Sequence, residues 1–166
     1  HYSELIEANS EVDLQGIFFL KDNNTSNNKT FVKHLAEDCK SNQVYKGILN
    51  DRSKATYFSN THVDQVAQKT EGYQLSKGIL LSDNASYFSK PELKIYADDV
   101  KCSHGSTIGP IDENAIFYLR SRGMSKIAAT KILISSFINE ELSSIDNEQM
   151  SEIIQKKLVR YLSKVK

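Results

Sequence analysis

The sequence predicts a β-solenoid followed by a small bundle of helices. The dipeptide Gly-Ile recurs with a spacing of 31 residues, at Gly16, Gly47 and Gly78. Residues between these copies are rich in β-branched and aromatic types, which favours strands over helices. Beyond residue 109 the hydrophobic period changes from two to 3.6, as in amphipathic helices. We therefore expect a solenoid over residues 1–110 and helices over residues 111–166.

The N-terminal part of the chain shows a weaker pattern. The first fourteen residues alternate weakly, with Leu5, Val12 and Leu14 as candidate inward positions. The segment from Asp22 to Thr30 contains four asparagines and no apolar side chain. Because it offers so little apolar surface to offset its ordering entropy, we expect it to form a mobile loop.

Further self-similarity continues the predicted solenoid. The run from Ala55 to Ser59 is similar to the run from Ala85 to Ser89, with a spacing of 30 residues. The same shift places Gly72 next to Cys102 and Gln74 next to His104. The last repeat therefore carries a thiol and an imidazole where the preceding repeat has a glycine and an amide. Metal-binding side chains at positions where the preceding repeat has none predict a functional site.

Cys102 and His104 are two residues apart, so both face the same side of a regular strand. Thiolate and imidazole suit iron, zinc or copper. Two ligands do not complete a tetrahedral site, so a metal here would need donors from a second chain or would bind only transiently. The alternative is that Cys102 is a small buried hydrophobe and His104 a hydrogen-bonded structural residue.

The other titratable residues are weaker candidates for a catalytic or metal-binding role. Adjacent Asp98 and Asp99 point to opposite faces of a strand, which favours a corner over a shared acid–base site. Cys39 is interpreted as a core or loop thiol. The histidines without a companion at ligand spacing are interpreted as structural or surface residues: His1, His34 and His62. The chain has no phosphate-binding Gly-x-x-x-x-Gly-Lys-Ser/Thr loop, so we do not expect it to bind ATP itself.

Three helices are expected after the solenoid. The first is capped by Asp112, runs to Arg122 and ends at Gly123. Its predicted apolar stripe consists of Ile116, Tyr118 and Leu119. The second is capped by Ser125 and runs from Lys126 to about Glu141. Its predicted inward residues are Ile127, Ala128, Ile132, Leu133, Ser136 and Phe137. The third is capped by Ser144 or Asp146.

Composition restricts the class of partner. The 166 residues contain 21 Lys plus Arg and 21 Asp plus Glu, so no net field attracts nucleic acid or an anionic membrane. No apolar run approaches the roughly 20 residues that span a bilayer. No signal peptide is found, but the chain begins with His1, and we expect a piece of a longer protein. Two cysteines are too few for a disulfide framework, which predicts a reducing compartment.

The sequence resembles the SufB/SufD family over about residues 44–142. The run from Lys90 to Gly105 resembles the family signature, and its Cys-Ser-His-Gly form is closer to SufD than to SufB. Four shorter segments continue the resemblance: 67–70, 80–82, 111–113 and 117–123. It implies a right-handed parallel β-helix followed by helices. It further implies a non-enzymatic scaffold for iron–sulfur cluster assembly, which pairs with SufB and with the ABC-type ATPase SufC.

The resemblance also implies roles for particular residues. His104 matches a histidine at the SufB–SufD interface, where the family is thought to build a cluster that is bound only transiently. Cys102 is a second candidate ligand. The helical part is expected to contact SufC through the tip of its first helix, at Phe117, Tyr118, Arg120, Arg122 and Gly123. A homodimer is a further option, and the expected compartment is the cytoplasm or the plastid stroma.

Two functions from other classes remain open on the residues alone. A β-helix acyltransferase could use His104 as its general base. No second catalytic group lies beside His104 in the sequence, and the hexapeptide period of such enzymes is not sustained. A metal-free interaction module is the other alternative.

Overall fold

A computed structural model describes residues 1–143, 145 and 147–165 of the chain. It divides into two compact units, His1–Ile108 and Gly109–Lys166. The first unit contains strands and the second contains helices. The predicted helix caps Ser144 and Asp146 lie outside the described residues.

In the part of the chain that the structure describes, eight strands form two sheets of four strands each. The strands are β1 (Tyr2–Leu5), β2 (Glu11–Leu20), β3 (Thr25–His34), β4 (Lys40–Leu49), β5 (Lys54–Val63), β6 (Thr70–Leu80), β7 (Ser86–Ile95) and β8 (Val100–Pro110). One sheet has the order β1-β3-β5-β7 and the other β2-β4-β6-β8, with parallel pairing. Each turn of the chain thus adds one strand to each sheet, which confirms the predicted parallel β-solenoid.

The register agrees with the Gly-Ile repeat at only one of its two steps. Gly47 pairs with Gly78 across β4 and β6, as the 31-residue spacing predicts. Across β2 and β4, however, Gly16 pairs with Tyr45, and Phe18 pairs with Gly47. The predicted register is therefore wrong by two residues at this step. The glycines recur because each faces an aromatic ring: a Cβ on Gly16 would overlap Tyr45, and one on Gly47 would overlap Phe18.

The predicted 30-residue shift between β5 and β7 is also wrong. Ala55 pairs with Tyr87 and not with Ala85, an offset of 32 residues that places Tyr57 opposite Ser89. The corners of successive turns differ in length, so no single spacing describes the whole solenoid. Sequence similarity between two strands therefore does not fix their register.

An aromatic cluster fills one part of the solenoid interior. Its buried members are Tyr45, Leu49, Ala55, Tyr57, Ala85 and Tyr87. The rings of Tyr45 and Tyr57 stack with centroids 4.1 Å apart. The Tyr57 hydroxyl forms a hydrogen bond of 3.0 Å with Thr30, and that of Tyr87 one of 2.7 Å with Ser76. Burial raises the pKa of Tyr57 and raises that of Tyr87 to about 12, so both hydroxyls stay protonated at neutral pH.

The segment from Asp22 to Thr30 is not a loop, because β3 begins at Thr25. Its polar side chains bond to the next turn: Thr56 Oγ1 donates to Asn27 Oδ1 at 2.6 Å. Since parallel pairing satisfies the main chain and side-chain hydrogen bonds link neighbouring turns, this strand needs few apolar residues. The predicted inward position of Leu5 is confirmed, since it is buried in a cluster with Val32 and Cys39.

His34 is a structural residue, as expected. Its side chain is fully buried, and its Nε2 forms a hydrogen bond of 2.8 Å with Ser41 Oγ. Burial lowers the pKa of His34 to about 4, so the imidazole is neutral at physiological pH.

This buried imidazole predicts an acid-sensitive fold. Because the pKa of His34 is lower in the folded state than the usual 6.5, the unfolded chain binds the proton more readily. Stability is therefore unaffected above pH 6.5 and falls as the pH is lowered towards 4, by about 3 kcal/mol in total. Urea unfolding at a series of pH values would measure this loss. The His34→Gln variant should lack this component, and an identical pH dependence in variant and wild type would contradict the assignment.

The described residues of the second unit form three helices, α1 (Glu113–Ser121), α2 (Lys126–Leu142) and α3 (Glu148–Leu162). Asp112 and Ser125 cap the first two helices, as predicted, and Asn147 caps the third. Gly123 has φ +90°, the conformation that a glycine after a helix end adopts readily. No helix among the described residues has the length and apolar character to cross a bilayer.

The predicted inward faces of α1 and α2 are partly wrong. In α1, Ile116 is buried but Tyr118 is 58% exposed. In α2, the buried residues are Ala129, Ile134, Ile138, Glu141 and Leu142, whereas Ile127 and Ile132 are exposed. Apolar residues occur all around α2, so the pattern could not select one face.

Candidate functional site

The candidate site lies on β8, the last strand of its sheet. A bend at Asp98 and Asp99 precedes it, so the expected corner role of these residues is confirmed. The main-chain N–H of Lys69 donates to the carbonyl of Asp99 at 2.5 Å, and the Gln68 side chain accepts from the N–H of Asp99 at 3.0 Å. These contacts join the corner to the preceding turn and fix where β8 begins.

Cys102 lies against Gly72 of the preceding turn, as the 30-residue shift predicts. A Cβ placed on Gly72 would lie only 3.2 Å from Cys102 Sγ, so the thiol occupies space that the glycine leaves free. The half-buried side chain also packs on a small cluster formed by Val63, Ala67 and Ala97. Burial raises the pKa of the Cys102 thiol, and the main chain of Gly72 acts in the opposite direction. The thiol is therefore protonated at neutral pH and must lose its proton to bind a metal.

His104 is exposed, and its imidazole forms no hydrogen bond with any described residue. The preceding turn differs sharply: Gln74 is 3% exposed, and its Nε2 donates to Thr61 Oγ1 at 2.7 Å. The interaction of Lys101 with Glu71, at 3.2 Å, continues the 30-residue shift that aligns Gln74 with His104. The structure thus gives His104 none of the partners that a hydrogen-bonded structural histidine would have.

A polar column inside the solenoid is a feature that the sequence analysis missed. Thr61 Oγ1 accepts hydrogen bonds from both Gln43, at 2.8 Å, and Gln74, at 2.7 Å. Ser59 Oγ in turn donates to Gln74 Oε1 at 3.2 Å. The repetition of Gln43 and Gln74 at the 31-residue spacing was the signal that could have revealed it. The column is buried, since Gln43, Thr61 and Gln74 all lie in the interior of the turns before His104.

The donor set fits half of a metal site and not a complete one. Cys102 supplies one soft ligand and His104 one borderline ligand. No group of three or more His, Cys, Asp or Glu side chains with metal-binding geometry occurs among the described residues. A second chain would therefore have to supply the remaining ligands. As a general base, His104 lacks a described residue that would orient its imidazole.

The tip of α1 is the second candidate site. Phe117 is 73% exposed, and Arg120 is exposed as well. The Arg122 guanidinium lies 5.3 Å from the centroid of the Tyr118 ring and donates to its hydroxyl at 3.3 Å. Gly123 ends the helix beside them. All five predicted contact residues are exposed, and we call this set of residues the α1 tip.

Comparison with known proteins identifies the family. A sequence profile described as SUF system FeS cluster assembly, SufBD core domain, matches residues 1–137. Iron–sulfur cluster assembly protein SufD of Escherichia coli is 35% identical over 150 residues, which are 90% of this chain and 36% of that protein.

Two further relatives come from photosynthetic organisms. An iron–sulfur cluster assembly SufBD family protein of Synechocystis is 42% identical over 104 residues, 63% of this chain and 23% of its own length. Protein ABCI7, chloroplastic, of Arabidopsis thaliana is 38% identical over 113 residues, 68% of this chain and 24% of its own length. The chain spans at most 36% of the length of these three relatives. With the profile match over most of its residues, the chain belongs to the SufBD family of iron–sulfur cluster assembly proteins.

Proposed function

We propose that this chain is part of a SufD-like scaffold on which an iron–sulfur cluster is assembled. It pairs with a SufB-like subunit along β8, and a SufC-like ATPase binds its helical unit. The cluster is cargo, held transiently between the two scaffold subunits. Cluster assembly takes place in the cytoplasm or in a plastid stroma, consistent with the bacterial and chloroplast relatives. The observation that carries the proposal is an edge strand with an exposed imidazole two residues from a half-buried thiol.

The edge position of β8 supports pairing with another strand. Main-chain groups of a strand point alternately to its two sides, and β6 occupies only one side of β8. Half of the β8 N–H and C=O groups therefore have no strand partner among the described residues. Adding a strand from a second protein would satisfy them. It would also bring the partner's side chains next to Cys102 and His104.

The other sheet ends in a strand that is less suited to pairing. The N–H of Ser86, at the start of β7, donates to the carbonyl of Ser53, and the N–H of Tyr96, just after β7, donates to the carbonyl of Val63. The main-chain groups of the even-numbered residues therefore point towards β5. Pro91 therefore faces the free edge, where its missing N–H interrupts any added ladder. In β8 the only proline is Pro110, at the end of the strand. This difference favours β8 as the pairing edge.

At the proposed interface, this chain supplies two of the ligands for a cluster. The exposed imidazole of His104 can donate a nitrogen lone pair to iron. The Cys102 thiol is protonated, so binding of iron at this sulfur must release a proton. With only two ligands from this chain, the cluster is bound weakly. Weak binding suits a scaffold, because the cluster must leave after assembly.

The α1 tip is proposed to bind the ATPase. Exposed aromatic rings next to arginine form the kind of surface that dominates protein interfaces. The Arg122→Glu variant should therefore bind a SufC-like ATPase at least tenfold more weakly in a pull-down or by calorimetry. Lys157→Glu, which reverses the charge of an exposed residue of α3, serves as the matched control. If both variants bind as wild type, the ATPase does not contact the α1 tip.

Co-purification tests the proposed function as a whole. The complete protein should co-purify with SufB-like and SufC-like subunits, and the complex should contain iron and sulfide after assembly. A variant that removes an N–H group from the free edge of β8, Ser106→Pro, should lose the SufB-like subunit while the ATPase remains bound. Recovery of a homodimer alone, or of a complex that never carries iron, would contradict the proposal.

A further inference from the structure

A second surface, unrelated to β8, lies on the outer face of the sheet β1-β3-β5-β7. Alternate residues of β3 and β5 are buried in the interior, so the residues between them point outward. We name as the basic aromatic face the outward residues Lys29, Lys54, Phe58, Phe88, Lys90 and Lys94. All four of these lysines are exposed, and Phe88 is 57% exposed.

The charge of this face is strongly one-sided. The four strands of this sheet contain five lysines and two carboxylates, Glu4 and Glu92, and Glu4 forms an ion pair of 3.5 Å with Lys33. Glu92 forms an ion pair of 2.7 Å with Lys90, which offsets one of the positive charges. Lys29, Lys54 and Lys94 form no ion pair with any described residue, although the chain as a whole carries equal numbers of acidic and basic residues. The face is therefore a local positive field on a neutral chain.

The aromatic rings lie among these charges. Phe58 pairs with Lys29 on one side and with Lys90 on the other, and Lys29 Nζ lies 5.7 Å from the centroid of its ring. Phe88 is adjacent, with its ring centroid 5.9 Å from that of Phe58. Exposed rings of this size are uncommon on a solvated sheet and are typical of contact surfaces.

The spacing of the lysines matches an extended peptide. Along β7, Phe88 lies two residues before Lys90, and Lys94 lies four residues after it. Lys54 pairs with Ser86, so it marks a position four residues before Lys90. The positions marked by Lys54, Lys90 and Lys94 are therefore spaced four strand residues apart, or about 13 Å. The ring of Phe88 lies between the first two positions. An extended segment with carboxylates at the same spacing would face all three.

We propose that the basic aromatic face binds an acidic segment of a partner protein. The segment lies extended along β7, with carboxylates facing Lys54, Lys90 and Lys94 and an apolar side chain on Phe88. Lys54 and Lys94 form no ion pair with a described residue, and Lys90 shares its charge with Glu92. So few positive charges suit a short acidic peptide better than a nucleic acid, whose specific and non-specific binding relies on many phosphate contacts. This inference does not depend on the proposed cluster site.

A labelled nonapeptide, Asp-Ser-Phe-Ser-Asp-Ser-Asn-Ser-Asp, tests this proposal by fluorescence anisotropy with the complete protein. We expect saturable binding that weakens as salt is raised. The double variant Lys54→Gln/Lys94→Gln should bind about three- to tenfold more weakly, and Phe88→Ser should also weaken binding. The matched controls are Lys157→Gln and Val66→Ser, which change an exposed lysine and an exposed apolar residue elsewhere.

Three results would overturn the proposal. Unchanged affinity in the double variant would exclude the face as the binding surface. Equal binding of a peptide with lysine in place of aspartate would exclude recognition of carboxylates. Tighter binding of a nine-nucleotide oligodeoxythymidine than of the acidic peptide would identify the ligand as nucleic acid.

Discussion

The Tyr57→Ala variant is expected to lose about 3–5 kcal/mol of its free energy of unfolding. Tyr57 is 1% exposed, stacks on Tyr45 at 4.1 Å and is hydrogen-bonded to Thr30. Truncation therefore opens a cavity between two turns and leaves the Thr30 hydroxyl without its partner. Urea unfolding followed by circular dichroism measures the loss.

The conservative variant separates the two contributions. Tyr57→Phe keeps the ring and removes only the hydroxyl, so it should cost about 1 kcal/mol. An alanine variant as stable as the phenylalanine variant would show that the stacked ring contributes little. That outcome would contradict the aromatic cluster as the centre of solenoid stability.

Loss of bound iron is the largest functional effect expected. The His104→Ala variant of the complete protein, assembled with its partners, should retain at most about a tenth of the iron and sulfide of the wild-type complex, since an open site loses one of its few donors. Its stability should change by less than about 0.5 kcal/mol, because the exposed imidazole forms no hydrogen bond with described residues.

The matched control is Ser103→Ala, an exposed neighbour on the same strand without a soft donor. It should assemble and hold iron as wild type does. A His104→Ala complex that melts at a lower temperature but carries normal iron per folded complex would contradict the ligand role and support a structural one.

The repeat pattern predicted the architecture correctly and parts of the register incorrectly. Gly47 and Gly78 recur in register, and the change of period after residue 109 marks the start of the helices. The register predicted from Gly16 was wrong because this residue is a glycine to leave room for the ring of Tyr45, and not because of its place in the repeat. Steric demands of single rings produce similar dipeptides at different positions in a turn.

Hydrophobicity alone failed at the polar start of β3. Asn27 is exposed but lies in a strand, where it pairs with Thr56 of β5 and accepts a hydrogen bond from the Thr56 hydroxyl. Composition cannot reveal such a bond, since it depends on the register of two distant segments. Tyr118 was placed inward for the related reason that an aromatic residue on a short helix fits either a core or an interface.

The alignment of Cys102 with Gly72 was predicted from the sequence, but the exposure of His104 was not. The shift that aligns Gly72 with Cys102 was correct, and the close approach of these residues shows it. Whether His104 is buried depends on how many strands follow β8 in its sheet, which is a property of the whole fold.

Isotope labelling of a single subunit tests this ligation most directly. The complete protein, labelled with ¹⁵N-histidine, is assembled with unlabelled partners, and its cluster is reduced to a paramagnetic state. Pulsed electron paramagnetic resonance should then show a ¹⁵N hyperfine coupling typical of a directly bound imidazole, and the coupling should vanish in His104→Ala. A cluster of full occupancy without any ¹⁵N coupling would contradict the central claim that β8 presents His104 to a shared cluster site.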